Sequence, residues 1–414
     1  MGCREGTVCL EAWSVARRRG VLSGWGVTYI LKRSRAAFHP KCFLVSSRRQ
    51  FLVRAPIGLA SAIGACRQSE AREPGADPAS TLAESGAPPQ AVTPLTVAPG
   101  VPTLIYTPRH NELCYTFGGA APRQRIKPGT RIVTWTEDCF DGVVKTAADL
   151  PSKKMTPGHD NPQTGPFYIE GAMPGDTVAI HILKLEPARS YAVSSFGPGF
   201  GALVGNNETA MLGPDFPETT WRYDVDTKRN VARSAARDGS HAWEVPLAPF
   251  LGCIGVAPAG GEVRTTIVPG NFGGNMDCPE VRAGNTVFLG VNAPGALLSF
   301  GDGHYAMGEG EIMGAAIEGA MNVEVYVELM KNRATPIPRI ENVNDVMFVG
   351  SGRPLEDAAR VAFKSMINWT RARTKLSEMD AYQFVAQNTR ASIIQLVDPE
   401  YTVLVSMAKR RVPG

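Results

Sequence analysis

A chain of 414 residues that is 43% hydrophobic and 20% charged carries enough apolar side chains for one large or two ordinary domains, which excludes a wholly disordered protein. Its net charge of +4 belongs to the N-terminus. Residues 1–65 hold 11 Lys and Arg against 2 Asp and Glu, and subtracting these from the totals of 43 and 39 leaves 32 basic and 37 acidic side chains in residues 66–414. That part shows no basic stripe to track phosphates, and the chain has no Walker loop, paired Cys-x-x-Cys or dinucleotide fingerprint.

Residues 1–46 fit no signal class and read as an over-extended start, with the true start near Val45. Residues 47–66 read as a twin-arginine export signal with a lipobox. Ser47-Arg48-Arg49-Gln50-Phe51-Leu52 is followed by a weakly apolar run from Ala55 to Ala65, well short of the roughly 18 apolar residues a permanent span needs. Ile63-Gly64-Ala65-Cys66 then places small residues before a cysteine suited to lipidation. A periplasmic, membrane-anchored lipoprotein is the expectation. Residues 67–92 are rich in Ala, Pro, Ser and Glu and read as a flexible tether.

From residue 93 onward the pattern changes to turns followed by short strands, in keeping with 43 Gly and 32 Pro. Pro128-Gly129-Thr130 precedes Arg131–Trp135, Pro174-Gly175-Asp176 precedes Thr177–Ile182, and Ala283-Gly284-Asn285 precedes Thr286–Val291. Glycine supplies φ > 0 at such turns, and the β-branched residues after it suit a pleated sheet. The expected fold is mainly β, an antiparallel sandwich or barrel-like core with a smaller α/β part at the C-terminus. There, helical spacing of apolar residues predicts a helix from Pro354 to Lys375. Ser377 is the predicted N-cap of a second helix with Asp380 at its third position, and Thr402–Met407 is a predicted last strand. Cys114, Cys139, Cys253 and Cys278 fit no zinc spacing and read as free thiols.

Three polar clusters stand out: residues 137–142 (Glu137 to Gly142), 271–277 (Asn271 to Asp277) and 301–311 (Gly301 to Glu311). The third packs one His and three carboxylates between small residues. Imidazole with carboxylates suits a divalent metal such as zinc, with calcium as the carboxylate-favoured alternative. Solvated turns explain the same residues: Asp302-Gly303-His304 as a loop, Gly274-Asn275 as a hairpin turn and Asp138 as a strand end. His181, inside an apolar strand, reads as a hydrogen-bonded imidazole rather than a ligand.

The same clusters carry a resemblance. Asn161-Pro162-Gln163-Thr164-Gly165-Pro166, running on to Pro174-Gly175-Asp176, resembles a signature of the acetamidase/formamidase family. So do Pro198-Gly199-Phe200-Gly201, the run Pro249-Phe250-Leu251-Gly252-Cys253-Ile254-Gly255, the block Gly273-Gly274-Asn275-Met276-Asp277, and Pro294-Gly295-Ala296-Leu297 leading into Gly301-Asp302-Gly303-His304. The resemblance spans residues ~93–330 and places an acetamidase/formamidase-like domain at 93–414. It implies hydrolysis of formamide-like or acetamide-like amides to carboxylate and ammonia, with a divalent metal. The expected ligands are Asp138, Asp302 and His304. Glu311 is the expected further ligand or general base, Asn275 and Asp277 would orient substrate or water, and Gly274 and Asn161 would bind substrate. One departure is Glu309, where the family usually has Asp. The expected partners are a small amide, a lipid anchor and further copies of the chain in a homo-oligomer, with no nucleic acid. The alternatives are a periplasmic binding protein of the same fold without turnover, and a hydrolase of a larger amide or lactam.

Overall fold

The computed structural model describes residues 97–204 and 216–413. The twin-arginine motif, Cys66 and the tether lie outside the described residues. Alternation of apolar and polar side chains builds the first sheet. In Thr130–Thr136 every second residue is buried, and Met321–Met330 buries Met321, Val323, Val325 and Val327. The two strands pair antiparallel, with Val325 opposite Ile132 on one side and Ile182 on the other. A strand that puts period-two side chains on one face must cover that face with another layer.

That sheet has nine strands in the order Thr103–Ile105, Thr130–Thr136, Met321–Met330, Thr177–Pro187, Thr286–Gly290, Arg339–Glu341, Asp345–Gly352, Tyr401–Ala408 and Thr389–Gln395. A second, ten-stranded sheet is centred on Leu298–Ala306, which pairs with Phe250–Gly255, Ile317–Glu318 and Gln163–Ile169. One apolar cluster joins the two, mixing Ile132, Ile180 and Val325 of the first with Phe167, Leu251 and Phe300 of the second. The fold is therefore mainly β and sandwich-like. Neither sheet closes on itself, so the barrel-like form of the expectation does not apply.

The three turn-then-strand readings correspond to Thr130–Thr136, Thr177–Pro187 and Thr286–Gly290. The predicted helices are Leu355–Thr374 and Glu378–Asn388, and Ser377 Oγ accepts the Asp380 N–H at 3.1 Å as an N-cap should. Ala358, Ala362 and Met366 line the inner face of the first helix. They pack on Val346, Phe348, Val403 and Val405 of the first sheet's far end, forming a second core. The strand Thr389–Gln395 follows the second helix and was not foreseen. Of its seven residues only Ile394 and Gln395 are buried, so it lacks the clean alternation that marks a strand in sequence. All four described cysteines are free thiols, as expected.

Met366 is fully buried in the helix–sheet core. Met366→Ala is expected to cost about 2–5 kcal/mol of stability through the cavity it leaves. Urea unfolding measures this, and a loss under about 1 kcal/mol would mean that the helix is not packed as described.

Candidate active site

The nine residues of Leu298–Ala306 are all buried, because the strand is covered on both faces. Its register decides what surrounds His304. Phe250 lies opposite on one side and Glu318 on the other. Gly303 sits between Asp302 and His304, and a Cβ there would meet the Gly319 carbonyl and lie 3.0 Å from Met321 Cβ. Asp302-Gly303-His304 is thus a strand pressed against its neighbours, rather than the alternative loop. Next to it, Gly252 forms the floor of the site. A side chain at 252 would meet Asp302 Oδ2, Asp277 Oδ1 at 2.7 Å and His304 Cε1 at 2.9 Å.

Around that floor gather Asp277, Asp302, Glu311, Glu318 and Asp398, all buried. His304 Nε2 lies 3.3 Å from Asp302 Oδ1, 3.3 Å from Glu318 Oε2 and 3.8 Å from Asp277 Oδ1. A polar chain holds the edge of the cluster. Asn161 Nδ2 donates to Asn275 Oδ1 at 2.9 Å and to Asp302 Oδ2 at 3.2 Å, and Asn275 Nδ2 donates to Asp398 Oδ2 at 2.8 Å. Cys253 Sγ lies 2.8 Å from Asn275 Oδ1. Four of these residues hold left-handed backbone: Asn161 (φ 47°), Asp277 (φ 48°), Asp302 (φ 58°) and Glu311 (φ 44°). Each such conformation costs on the order of 1 kcal/mol or more and persists only where the surroundings impose it, which is common at functional sites.

The electrostatics follow from burial. Burial, then the negative charge of Asp277, pushes the Glu311 and Asp398 carboxyls well above the usual range. Burial alone would pull the His304 imidazole down, but Glu318 and Asp302 outweigh it and raise the ring to about 10. Several oxygens have no hydrogen-bond partner: both of Asp277, Oδ1 of Asp302 and Oε2 of Glu318. The cluster opens into a cavity of about 300 Å³. Phe140, Pro151, Met155, Phe200 and Ile267 form its apolar wall, and no Lys or Arg is among the described residues that line it.

The model of the Acetamidase/Formamidase family matches residues 119–261 and 259–402. The chain belongs to that family. The acetamidase of Mycolicibacterium smegmatis is 26% identical over 274 residues, covering 54% of this chain and 66% of that protein. The formamidase of Methylophilus methylotrophus is 25% identical over 254 residues, 50% and 61% of the two lengths. The chain thus spans less than two thirds of either of these curated relatives. Among solved structures, the acetamidase of Yersinia enterocolitica superposes with a TM-score of 0.70 at 34% identity, covering 76% of this chain and 94% of that one. The acetamidase of Bacillus halodurans does so with 0.66 at 29%, covering 74% and 98%.

Within this acetamidase/formamidase fold, the residues singled out in the sequence divide. Asn161, Asn275, Asp277, Asp302, His304 and Glu311 converge on one cavity. Gly274 does not line it and serves as backbone, paired with Ile254 in the short strand Gly273–Asn275. Asp138 is the one expected ligand that the structure removes from the cluster. Its Oδ1 accepts the N–H groups of Phe140 and Gly142 at 3.0 Å each, and its Oδ2 pairs with Arg189 at 2.8 Å. With both oxygens committed, it braces the loop that presents Cys139 and Phe140. Glu309 is exposed and absent from the cavity wall, so its extra methylene extends into solvent. His181 pairs with Thr286 and Glu328 away from the cavity.

Two carboxylates escaped sequence reading. Glu318 sits in the apolar run Ala315–Met321, and a lone acid in such a run is a signal that was available. Asp398 lies in a turn that Gln395 secures, its Oε1 accepting the Val397 and Asp398 N–H groups at 3.0 and 3.1 Å. Nothing local marks it.

Asp138→Asn is expected to lower stability by about 1–3 kcal/mol, through loss of a charge-assisted hydrogen bond, without changing metal content. Urea unfolding beside elemental analysis checks this. Metal loss at unchanged stability would return Asp138 to the ligand set.

Proposed function

We propose that this chain hydrolyses short-chain amides to carboxylate and ammonia with the help of a divalent cation held around His304. The observation that carries the reading is the buried cluster of five carboxylates and one imidazole at the end of a partly apolar cavity, with several oxygens lacking a partner. Desolvated carboxylates without partners are costly, and cation binding is the usual relief. The donor spacing fits: tetrahedral coordination at about 2.0–2.2 Å places ligand atoms about 3.4 Å apart, close to the 3.3–3.8 Å around His304 Nε2. Asp277, Asp302 and His304 are the residues that would hold the ion, with Glu311 left beside them as the base. Zinc suits this mixed imidazole–carboxylate set, and a bound zinc would supply Lewis acidity toward the amide carbonyl.

The remaining chemistry rests on the chain's own groups. Asn161 and Asn275, locked by their mutual hydrogen bond, present fixed polar edges to a planar amide. The apolar wall of Phe140, Met155, Phe200 and Ile267 receives the acyl group and excludes bulk water. A carboxylate of raised proton affinity at the cavity end, Glu311, accepts a proton from the attacking water. It returns that proton to the amide nitrogen as the C–N bond breaks, giving carboxylate and ammonia. One observation favours a second reading, a larger amide as substrate. The cavity of about 300 Å³ is roughly twice the volume of an apolar cavity that accepts benzene.

Ammonia release from formamide, acetamide, butyramide and hexanamide tests both. Turnover that falls on chelation and returns with zinc is expected, and His304→Ala should lose about 100-fold or more, equal to about 3 kcal/mol of barrier. Rates that rise with acyl length favour the second reading. Binding without ammonia from any amide would leave only a non-catalytic binding protein.

A further inference from the structure

One cation around His304 leaves some of the cluster's donors unused. Asp277, Asp302, Glu311, Glu318 and Asp398 amount to five carboxyl groups around one imidazole. No Lys or Arg is among the described residues of the cavity wall, and Arg353 meets Asp398 at its main-chain carbonyl. A single four-coordinate dication has room for some of these carboxyl groups as ligands and leaves the others without one.

The unused donors sit together. Glu318 Oε1 accepts the Ala316 N–H at 2.7 Å, which fixes the side chain and leaves Oε2 without a hydrogen bond, 3.3 Å from His304 Nε2. Asp302 Oδ2 accepts from Asn161, and Oδ1 is likewise without a hydrogen bond, 3.3 Å from the same nitrogen. Both residues are no more than 2% exposed. The thiol of Cys139, delivered by the loop that Asp138 and Arg189 brace, completes a group in which sulfur and two carboxylate oxygens lie within 4.8 Å of one another. Asp277, His304 and Glu311 form a separate group within the same limit.

We propose that Cys139, Asp302 and Glu318 form a second divalent-cation site beside the first, so that the cavity holds a pair of metal ions with Asp302 adjoining both. The thiolate sets the class of ion. Sulfur favours zinc and its transition-metal neighbours over calcium or magnesium, which take oxygen donors. On binding, the thiol proton leaves to solvent and the sulfur–metal bond forms, with no change of oxidation state. Paired ions in hydrolases act together on the attacking and leaving atoms. This inference rests on the metal reading of the cluster and not on turnover.

Full-length protein, stripped with chelator and reloaded with zinc alone, is expected to bind two equivalents per chain by elemental analysis. Cobalt-loaded protein should show thiolate-to-cobalt charge-transfer absorption. Cys139→Ser should drop the count from two to one and abolish that absorption, and Glu318→Gln should lower the second equivalent's affinity by at least 10-fold. Metal-free melting curves confirm that each variant folds, and if the serine variant does not, Glu318→Gln decides alone. One equivalent in the wild type, or two in Cys139→Ser with the absorption intact, overturns the second site. No bound metal overturns the metal reading as a whole. Two equivalents without ammonia release would support the paired site and reject amide hydrolysis.

Discussion

Five carboxylates buried around the single imidazole of His304, with no Lys or Arg among the described residues of the cavity wall, form the constraint on which the rest of this structure depends. Burial first, and then the negative charge of Asp277, raises the proton affinities of Glu311 and Asp398, as expected of carboxyls crowded together away from water. A fold that tolerates such crowding must hold the residues in place by other means, and two large sheets joined through one apolar core supply the stability.

Strand register is the first of those means. Leu298–Ala306 runs through the second sheet with neighbours on both edges, so its residues have no freedom to swing outward. Glycines at 252 and 303 remove side chains where the strands press closest. The left-handed backbone at Asn161, Asp277, Asp302 and Glu311 is the second means, since each aims its side chain where an ordinary β conformation would not. A site assembled in this way has its geometry set before any ligand arrives, which is what electrostatic catalysis requires.

The C-terminal helices and strands have a direct part in the site. Gly310 N–H donates to the Ile394 carbonyl at 2.7 Å, and Leu396 N–H to the Gly310 carbonyl at 3.0 Å. These bonds tie the Glu311 loop to the strand Thr389–Gln395. The same strand leads into the turn that presents Asp398 to Asn275. The packing of Met366 and Val385 on the sheet therefore supports groups in the cavity, through a few rigid links.

The sequence by itself determined the mainly β character, both helices with the Ser377 cap, and the blocks that mark the family. These are local signals: turn residues before β-branched runs, apolar spacing of one helical turn, and contiguous motifs such as Gly273-Gly274-Asn275-Met276-Asp277. It also carried six of the cavity residues, because they lie inside those motifs. Only the tertiary structure decided which carboxylates meet. Asp138 and Asp302 look alike in sequence, each beside a motif glycine or cysteine. Arg189, fifty-one residues on, claims Asp138, whereas Asp302 faces His304. Glu309 and Glu311 stand two residues apart, yet one faces solvent and the other the cavity, because the loop turns through positive φ at Gly310 and Glu311. Glu318 and Asp398 arrive by strand pairing and by a turn more than eighty residues beyond Gly314. Such meetings depend on register and long-range packing, which no local pattern records.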